Sequence, residues 1–305
     1  MQARRGPAVL AIVIASLLWG TTGTAATFLP DAVSPLATGA ATMGVGGLLL
    51  FVTAPRASVS VLRGPARRWV GAGAIGVFVY PLAFYSGMEL AGVAIGNVVA
   101  LGLGPIVTAL LEWLVERTAL TLRWAAATAL AIAGMGLLAF ARHPSENTDA
   151  GVLPGVLLGL LAGVAYGLYT YSSGRAIAAG GTARGTMGAV FGCGALLLLP
   201  VLAVTGAPLL ASADAVGIAA YLALGPMFLA YLLVGVGLRS LRSSSVTTIA
   251  LLEPVVATVL AVVVVGERLG PLAWLGLVAV LAGIVVLITA RPPSHARRAA
   301  LDFPV

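Results

Sequence analysis

Glu253 is the residue of this sequence best placed to do chemistry, because it interrupts an apolar run from Val246 to Val265 with an ionisable group. If a helix starts at Val246, the carboxyl stands about 10 Å along it. A carboxylate at that depth in hydrocarbon must be paired, hydrated or protonated, since an isolated charge there costs several kcal/mol. Such a group can brace a bent helix, exchange protons, hold a substrate amine, or owe its place to the nearby interface, and the sequence leaves these roles open. Ala250 and Ala257 share its helix face and leave room beside it. Pro254 withdraws a backbone donor, which frees carbonyls near Leu251 to face a site.

Aromatic and polar residues form the second chemical group. Trp19 with Ser16 and Thr22, and Tyr166 with Tyr169 and Thr170, recur at three- and four-residue spacing and so form stripes on helix faces. Tyr80 and Tyr231 lie midway along two further apolar runs. Their rings attract an ammonium through cation–π contact or stack on an aromatic solute. Asn97 carries two donors and an acceptor into an apolar run, where it either binds substrate or bonds to a neighbouring helix. Trp19, Thr22, Tyr80, Asn97, Tyr166, Tyr169, Tyr231 and Glu253 are therefore the expected substrate-binding residues. Tyr85 and Tyr221 read as interface-belt residues. Glu112 stands near a helix end within reach of water and receives little functional weight. Ser243, Ser244 and Ser245 read as N-caps at a helix start that favours an anion, and Glu267-Arg268 as a turn-fixing pair.

The elements that must position these residues follow from composition. The chain is 60% hydrophobic and 9% charged over 305 residues, too apolar to cover a water-soluble domain, so the lipid bilayer is its solvent. Ten apolar stretches result: Ala8 to Phe28, Pro35 to Ala54, Trp69 to Met88, Ala91 to Leu114, Trp124 to Phe140, Val152 to Ser172, Thr186 to Val204, Ala215 to Gly237, Val246 to Val265 and Leu272 to Ile288. Each is a continuous apolar run long enough for a transmembrane helix and without the alternation of a barrel strand. The first, despite Arg4-Arg5 before it and small residues after it, reads as a spanning helix rather than a cleaved signal.

Arginine fixes the orientation. Alternate loops hold Arg4, Arg5, Arg56, Arg63, Arg67, Arg68, Arg117, Arg123, Arg175, Arg184, Arg239, Arg242, Arg291, Arg297 and Arg298, and the others only Arg142 and Arg268. By the positive-inside rule both termini lie in the cytoplasm, in a bacterial-type plasma membrane. The net charge of +7 is thereby explained by topology and anionic lipid, and nucleic acid is not an expected partner.

An internal repeat organises the ten helices. A shift of 149 residues lays Pro105 on Pro254, Leu111 on Leu260, Leu120 on Leu269 and Gly134 on Gly283, and a shift of 147 lays Trp19-Gly20 on Tyr166-Gly167. Residues 8–140 and 152–288 are thus two copies of five helices, and an odd number of spans per copy makes the repeat inverted. The fold class is an all-α membrane protein of ten transmembrane helices as two inverted five-helix repeats. Glycines 155, 159, 163 and 167 line one face of the sixth helix, where another helix can approach closely.

Enzyme signatures do not occur: the sequence has no HExxH, no GxxxxGK and no GxSxG. The single cysteine, Cys193, lies in an apolar run, and His143 and His295 fall outside the spans. No cofactor, metal or catalytic residue is expected, and without a phosphate loop a gradient must drive any transport.

Leu18-Trp19-Gly20, Glu253-Pro254-Val255-Val256-Ala257 and Gly266-Glu267-Arg268-Leu269 resemble the signatures of EamA-type transporters of the drug/metabolite transporter superfamily. In the first half Gly104-Pro105 stands where the second has Glu253-Pro254. The resemblance spans essentially the whole chain and implies secondary export of small metabolites, often amino acids or toxic analogues, through a cavity between the halves. Phe84-Tyr85 to Gly104-Pro105 is similar to the amino-acid exporter branch. Amino acids or related compounds are therefore the expected substrates. A proton as coupling ion, a sugar or multidrug carrier on the same fold, and a non-transporting scaffold stay open.

Overall fold

In the computed structural model ten helices are long and apolar enough to cross a membrane: α1 (Arg5–Ala26), α2 (Pro35–Val52), α3 (Arg67–Ala91), α4 (Ile95–Glu116), α5 (Leu122–Ala141), α6 (Gly151–Ala178), α7 (Ala183–Thr205), α8 (Ala213–Leu238), α9 (Ser243–Leu260) and α10 (Pro271–Ile288). The structure describes residues 5–141, 149–260, 262–263 and 269–289. Arg4, Arg142, His143, Gly266, Glu267, Arg268, Arg291, His295, Arg297 and Arg298 lie outside the described residues. Several helices outrun the apolar stretches, because the helical ladder continues past the hydrocarbon into polar flanks. α9 begins at Ser243, three residues before its apolar run, so Glu253 stands about 15 Å along it and nearer the midplane than the run alone implies.

Proline and local breaks concentrate at mid-depth. α9 is interrupted at Leu251, between Ser243–Ala250 and Leu252–Leu260, because Pro254 can supply no backbone N–H to the ladder. α8 widens into a π-helical turn over Ala223–Leu229 around Pro226, α3 carries Pro81 and α4 carries Pro105 inside the helix. α1 breaks at Thr21, which separates Arg5–Gly20 from Thr22–Ala26. Freed backbone groups at this depth are tolerated where the helix is shielded from lipid or faces a cavity.

Helix pairing repeats between the halves. α3 packs along α6 as α1 packs along α8, α4 packs on α6 as α1 packs on α9, and α2–α7 and α5–α10 are self-matching pairs. The contacts match residue by residue. Gly20 of α1 faces Val256 of α9, and Gly167 of α6 faces Val107 of α4, so that a Cβ on either glycine would overlap the valine. Val107 and Val256 are related by the same shift of 149 that appears in the sequence. In the α5–α10 crossing, Gly134 lies against Val280 and Gly283 against Ala131, again a pair and its repeat. The rest of the α6 glycine face meets Ala91, Val99 and Leu103, which brings α6 close to the end of α3 and the length of α4.

The described arginines gather at one end of the bundle. Arg123 at the start of α5 donates to Val286 O and to Thr289 Oγ1 at the end of α10, at 3.0 and 2.8 Å. Arg68 and Arg175, from α3 and α6, both lie over the Trp69 ring. Asp31 follows α1, Glu89 lies in the last turn of α3 and Asp214 in the first turn of α8, all at the opposite end.

Candidate functional site

The breaks in α1, α8 and α9 and the prolines of α3 and α8 surround one central cavity of about 60 Å³. α1 supplies Trp19 and Thr22, α2 Thr42 and Met43, α3 Tyr80, Pro81, Phe84 and Tyr85, and α4 Leu101. α6 adds Tyr166 and Tyr169, α8 Pro226, Met227 and Tyr231, and α9 Glu253. Seven of the eight residues expected from the sequence thus share one cavity, although they come from five helices. Asn97 does not reach it. It lies on the same α4 face as Leu101 but one turn nearer the acidic end, outside the cavity lining. Ser16 and Thr170 are buried away from the cavity, and Ser16 donates back to Ile12 O at 2.9 Å.

The repeat organises the walls. Trp19 of α1 contacts Tyr231 of α8 with ring centroids 5.4 Å apart, and its counterpart Tyr166 of α6 contacts Tyr80 of α3 at 5.8 Å. Tyr80 stacks on Phe84 at 5.1 Å. Tyr231 packs on Phe191 at 4.3 Å, and its hydroxyl bonds to that of Tyr169, which joins the two walls. Gly104 holds Tyr166 in place by absence of a side chain: a Cβ there would run into the ring. Where the second half carries Glu253, the first half carries this glycine and a tyrosine ring beside it.

Glu253 is partly buried in the lining, at the start of the second α9 segment. Among the described residues it has no ion pair, and the cavity lining contains no basic side chain. The carboxyl is the one acidic group of a chamber otherwise lined by aromatic rings, hydroxyls, methionines, Leu101 and two prolines. Chemically it can accept hydrogen bonds or a proton, or neutralise a bound cation.

At the arginine end the helices are tied by polar contacts. Glu112, at the end of α4, accepts from Ser244 N at 2.9 Å and Ser244 Oγ at 2.8 Å, and Arg242 Nε lies 3.7 Å from its carboxylate. This corrects the reading from the sequence: Glu112 is 3% exposed and caps α9 from another helix, so the anion expected at the Ser243–Ser245 helix start is a side chain of the protein itself. Below it, Thr108 and Thr247 share a hydrogen bond of 3.0 Å, as do Thr128 and Thr248. Glu116 pairs with Arg175 at 3.6 Å.

At the acidic end, by contrast, a groove of about 710 Å³ opens between α1, α8 and the end of α9, lined by Thr21, Thr24, Phe28, Asp214, Tyr221 and Leu260 among others. Across it Thr21 Oγ1 and Tyr221 OH share one exposed hydrogen bond of 2.6 Å. The three helices of the groove are those that carry Trp19, Tyr231 and Glu253.

A sequence profile described as the EamA-like transporter family matches residues 6–140 and 153–289. The chain belongs to the EamA-like transporter family. Two EamA domains account for the ten helices, and the EamA chain is a membrane carrier of the drug/metabolite transporter superfamily, not an enzyme. It is 32% identical over 281 residues to a protein of Bacillus subtilis (strain 168) described as "Uncharacterized transporter YwfM", covering 92% of this chain and 93% of that one. A crystal structure 24% identical superimposes with a TM-score of 0.76 over 97% of this chain and 99% of the other, which shows the fold.

Thr42, Met43 and Met227 line the cavity of this EamA protein although nothing in the sequence pointed to them, and Tyr85, read from the sequence as an interface-belt residue, lines it together with Phe84. Two signals were present. Pro81 and Pro226 both lie mid-helix, in α3 and α8, and residues three to five positions after them, Phe84, Tyr85 and Tyr231, line the chamber. Tyr221 lies in the groove, where it bonds to Thr21.

Proposed function

We propose that this EamA protein is a secondary exporter of small metabolites, amino acids or related amine-bearing compounds, working by alternating access through the central cavity. The observation that carries this reading is the lone carboxylate of Glu253 inside an aromatic chamber between the two repeats, beside helices that break at that depth. Such a chamber offers charge recognition and ring faces to one small solute at a time. The moving units are residues 8–140 and 152–288, which rock about the close glycine contacts. The arginine end is cytoplasmic, with both chain termini, in the inner membrane of a bacterial-type cell.

Trp19, Thr22, Tyr80, Tyr166, Tyr169, Tyr231 and Glu253 contact the substrate. One carboxyl cannot hold a proton and an ammonium together, so a proton is the coupling ion this arrangement offers. The other titratable groups of the lining are the phenols of Tyr80, Tyr85, Tyr166, Tyr169 and Tyr231.

Purified protein in liposomes, loaded with a mixed amino-acid pool, tests the reading through counterflow of labelled amino acids and amines. Saturable exchange above protein-free vesicles is expected, with loss of exchange and of its pH dependence in Glu253→Gln. Unchanged exchange in that variant would remove Glu253 from transport, and no exchange of any solute would favour the scaffold.

A further inference from the structure

Resting on the central cavity as the transport site, we infer that its preferred solute is a small organic monocation: a primary ammonium on an aromatic or aliphatic body, without a carboxylate of its own.

Charge balance carries the inference. The sequence contains no lysine. Among the described residues, Arg242 pairs with Glu112, Arg175 with Glu116, Arg68 and Arg175 lie over the Trp69 ring, and Arg123 bonds to the end of α10, all at the arginine end. The cavity therefore offers one carboxylate and no cation. A zwitterionic amino acid would bring a second carboxylate into a low-dielectric chamber beside the first, with only neutral hydroxyls to receive it. Its ammonium would be matched and its carboxylate would not. A helix start at this depth might have served the anion, but the segment Leu252–Leu260 already bears Glu253 in its first turn, which satisfies its positive end.

Groups that accept from an ammonium are, by contrast, in place. Thr22 Oγ1 is buried in the wall without a hydrogen-bond partner, and Glu253 has no ion pair among the described residues. A primary ammonium can give one N–H to the carboxylate and one to the Thr22 hydroxyl, and turn its remaining charge toward a ring face such as Trp19 or Tyr80. Tyr169 and Tyr231 bond to each other through their hydroxyls, so they contribute rings more than donors. Acceptors suited to an ammonium are thus free, whereas every donor of the lining that could receive a carboxylate is uncharged.

Calorimetric titration of the full chain in lipid nanodiscs with phenethylammonium, L-phenylalanine and 3-phenylpropionate tests this, because the three differ only in which charges they carry. Phenethylammonium is expected to bind at least about a hundredfold more tightly than phenylalanine, and phenylpropionate not to bind, as expected where a polar group is left unpaired. Thr22→Val should weaken the amine by about tenfold, as loss of one hydrogen bond to a charged group does. Glu253→Gln should abolish binding of the amine, with a melting curve to show that the variant is folded. Trp19→Leu provides a second, uncharged change that should also weaken the amine. Phenylalanine binding as tightly as the amine, with both losing affinity in Glu253→Gln, overturns the monocation inference and leaves the cavity as the transport site. Amine binding that survives both Glu253→Gln and Trp19→Leu overturns the cavity reading itself. No amine binding up to about 10 mM overturns the inference.

Discussion

The two ends of the bundle are closed by different means. At the arginine end a buried carboxylate, Glu112, receives two hydrogen bonds from Ser244 and faces Arg242, with two threonine pairs beneath and Glu116–Arg175 beside it. At the acidic end a groove runs between α1, α8 and α9, crossed by the Thr21–Tyr221 hydrogen bond. Charge-assisted bonds in a buried setting are roughly twice as strong as neutral ones, and an exposed hydroxyl pair competes with water. The difference teaches that this conformation is held shut at the arginine end and needs little to open at the other.

The largest effect should come from the arginine end. Glu112→Ala removes two charge-assisted bonds and strands the Ser244 N–H, so a loss of about 2–3 kcal/mol in stability is expected from denaturation in detergent. The Arg242 pair adds little to this figure because that guanidinium is exposed and screened. Glu112→Gln, which can still accept from Ser244, should lose less, and a loss equal to that of Glu112→Ala would show that charge, not hydrogen bonding, ties this end.

Next in size is a change between the ends. Gly104→Ala places a methyl in the Tyr166 ring and Gly20→Ala places one in Val256 and near Glu253 O, at 3.1 Å. Overpacking of this kind costs about 1–3 kcal/mol. In counterflow, Gly104→Ala should lower exchange at least about tenfold, that being the rate lost when a barrier rises by 1.4 kcal/mol. Full exchange with a normal melting temperature would mean that the Tyr166 wall is not needed.

Much of this arrangement was legible in the sequence, and the reasons are specific. Spans follow from the length of apolar runs, and the shifts of 149 and 147 residues carry directly into space as the Gly20–Val256 and Gly167–Val107 contacts. Trp19 and Tyr166, which that repeat relates, line one cavity and contact Tyr231 and Tyr80 respectively. What escaped depends on partners distant in the chain. Glu112 looked water-facing because its partner Ser244 is 132 residues away. Tyr85 looked like an interface residue because nothing local shows that α2 packs against it. Asn97 has the right face of α4, but the depth at which the chamber ends is set by other helices.

The smallest effect on stability belongs to the acidic end. Tyr221→Phe removes one exposed hydrogen bond and should cost about 0.5 kcal/mol or less. Its signature is kinetic: easier parting of α1 from α8 should raise access to the chamber from that end, read as faster labelling of a thiol at position 22. Slower labelling would assign Tyr221 to holding the groove open.

The most direct measurement of the difference between the ends is that labelling itself. Thr22→Cys in a Cys193→Ser background, in oriented membranes without substrate, is treated with a membrane-impermeant maleimide from one side at a time. Labelling from the acidic end, protection from the arginine end, and new labelling from the arginine end on adding Glu112→Ala are the predicted results. Labelling from the arginine end with Glu112 intact, or from neither end, would contradict a chamber tied shut on one side and accessible from the other.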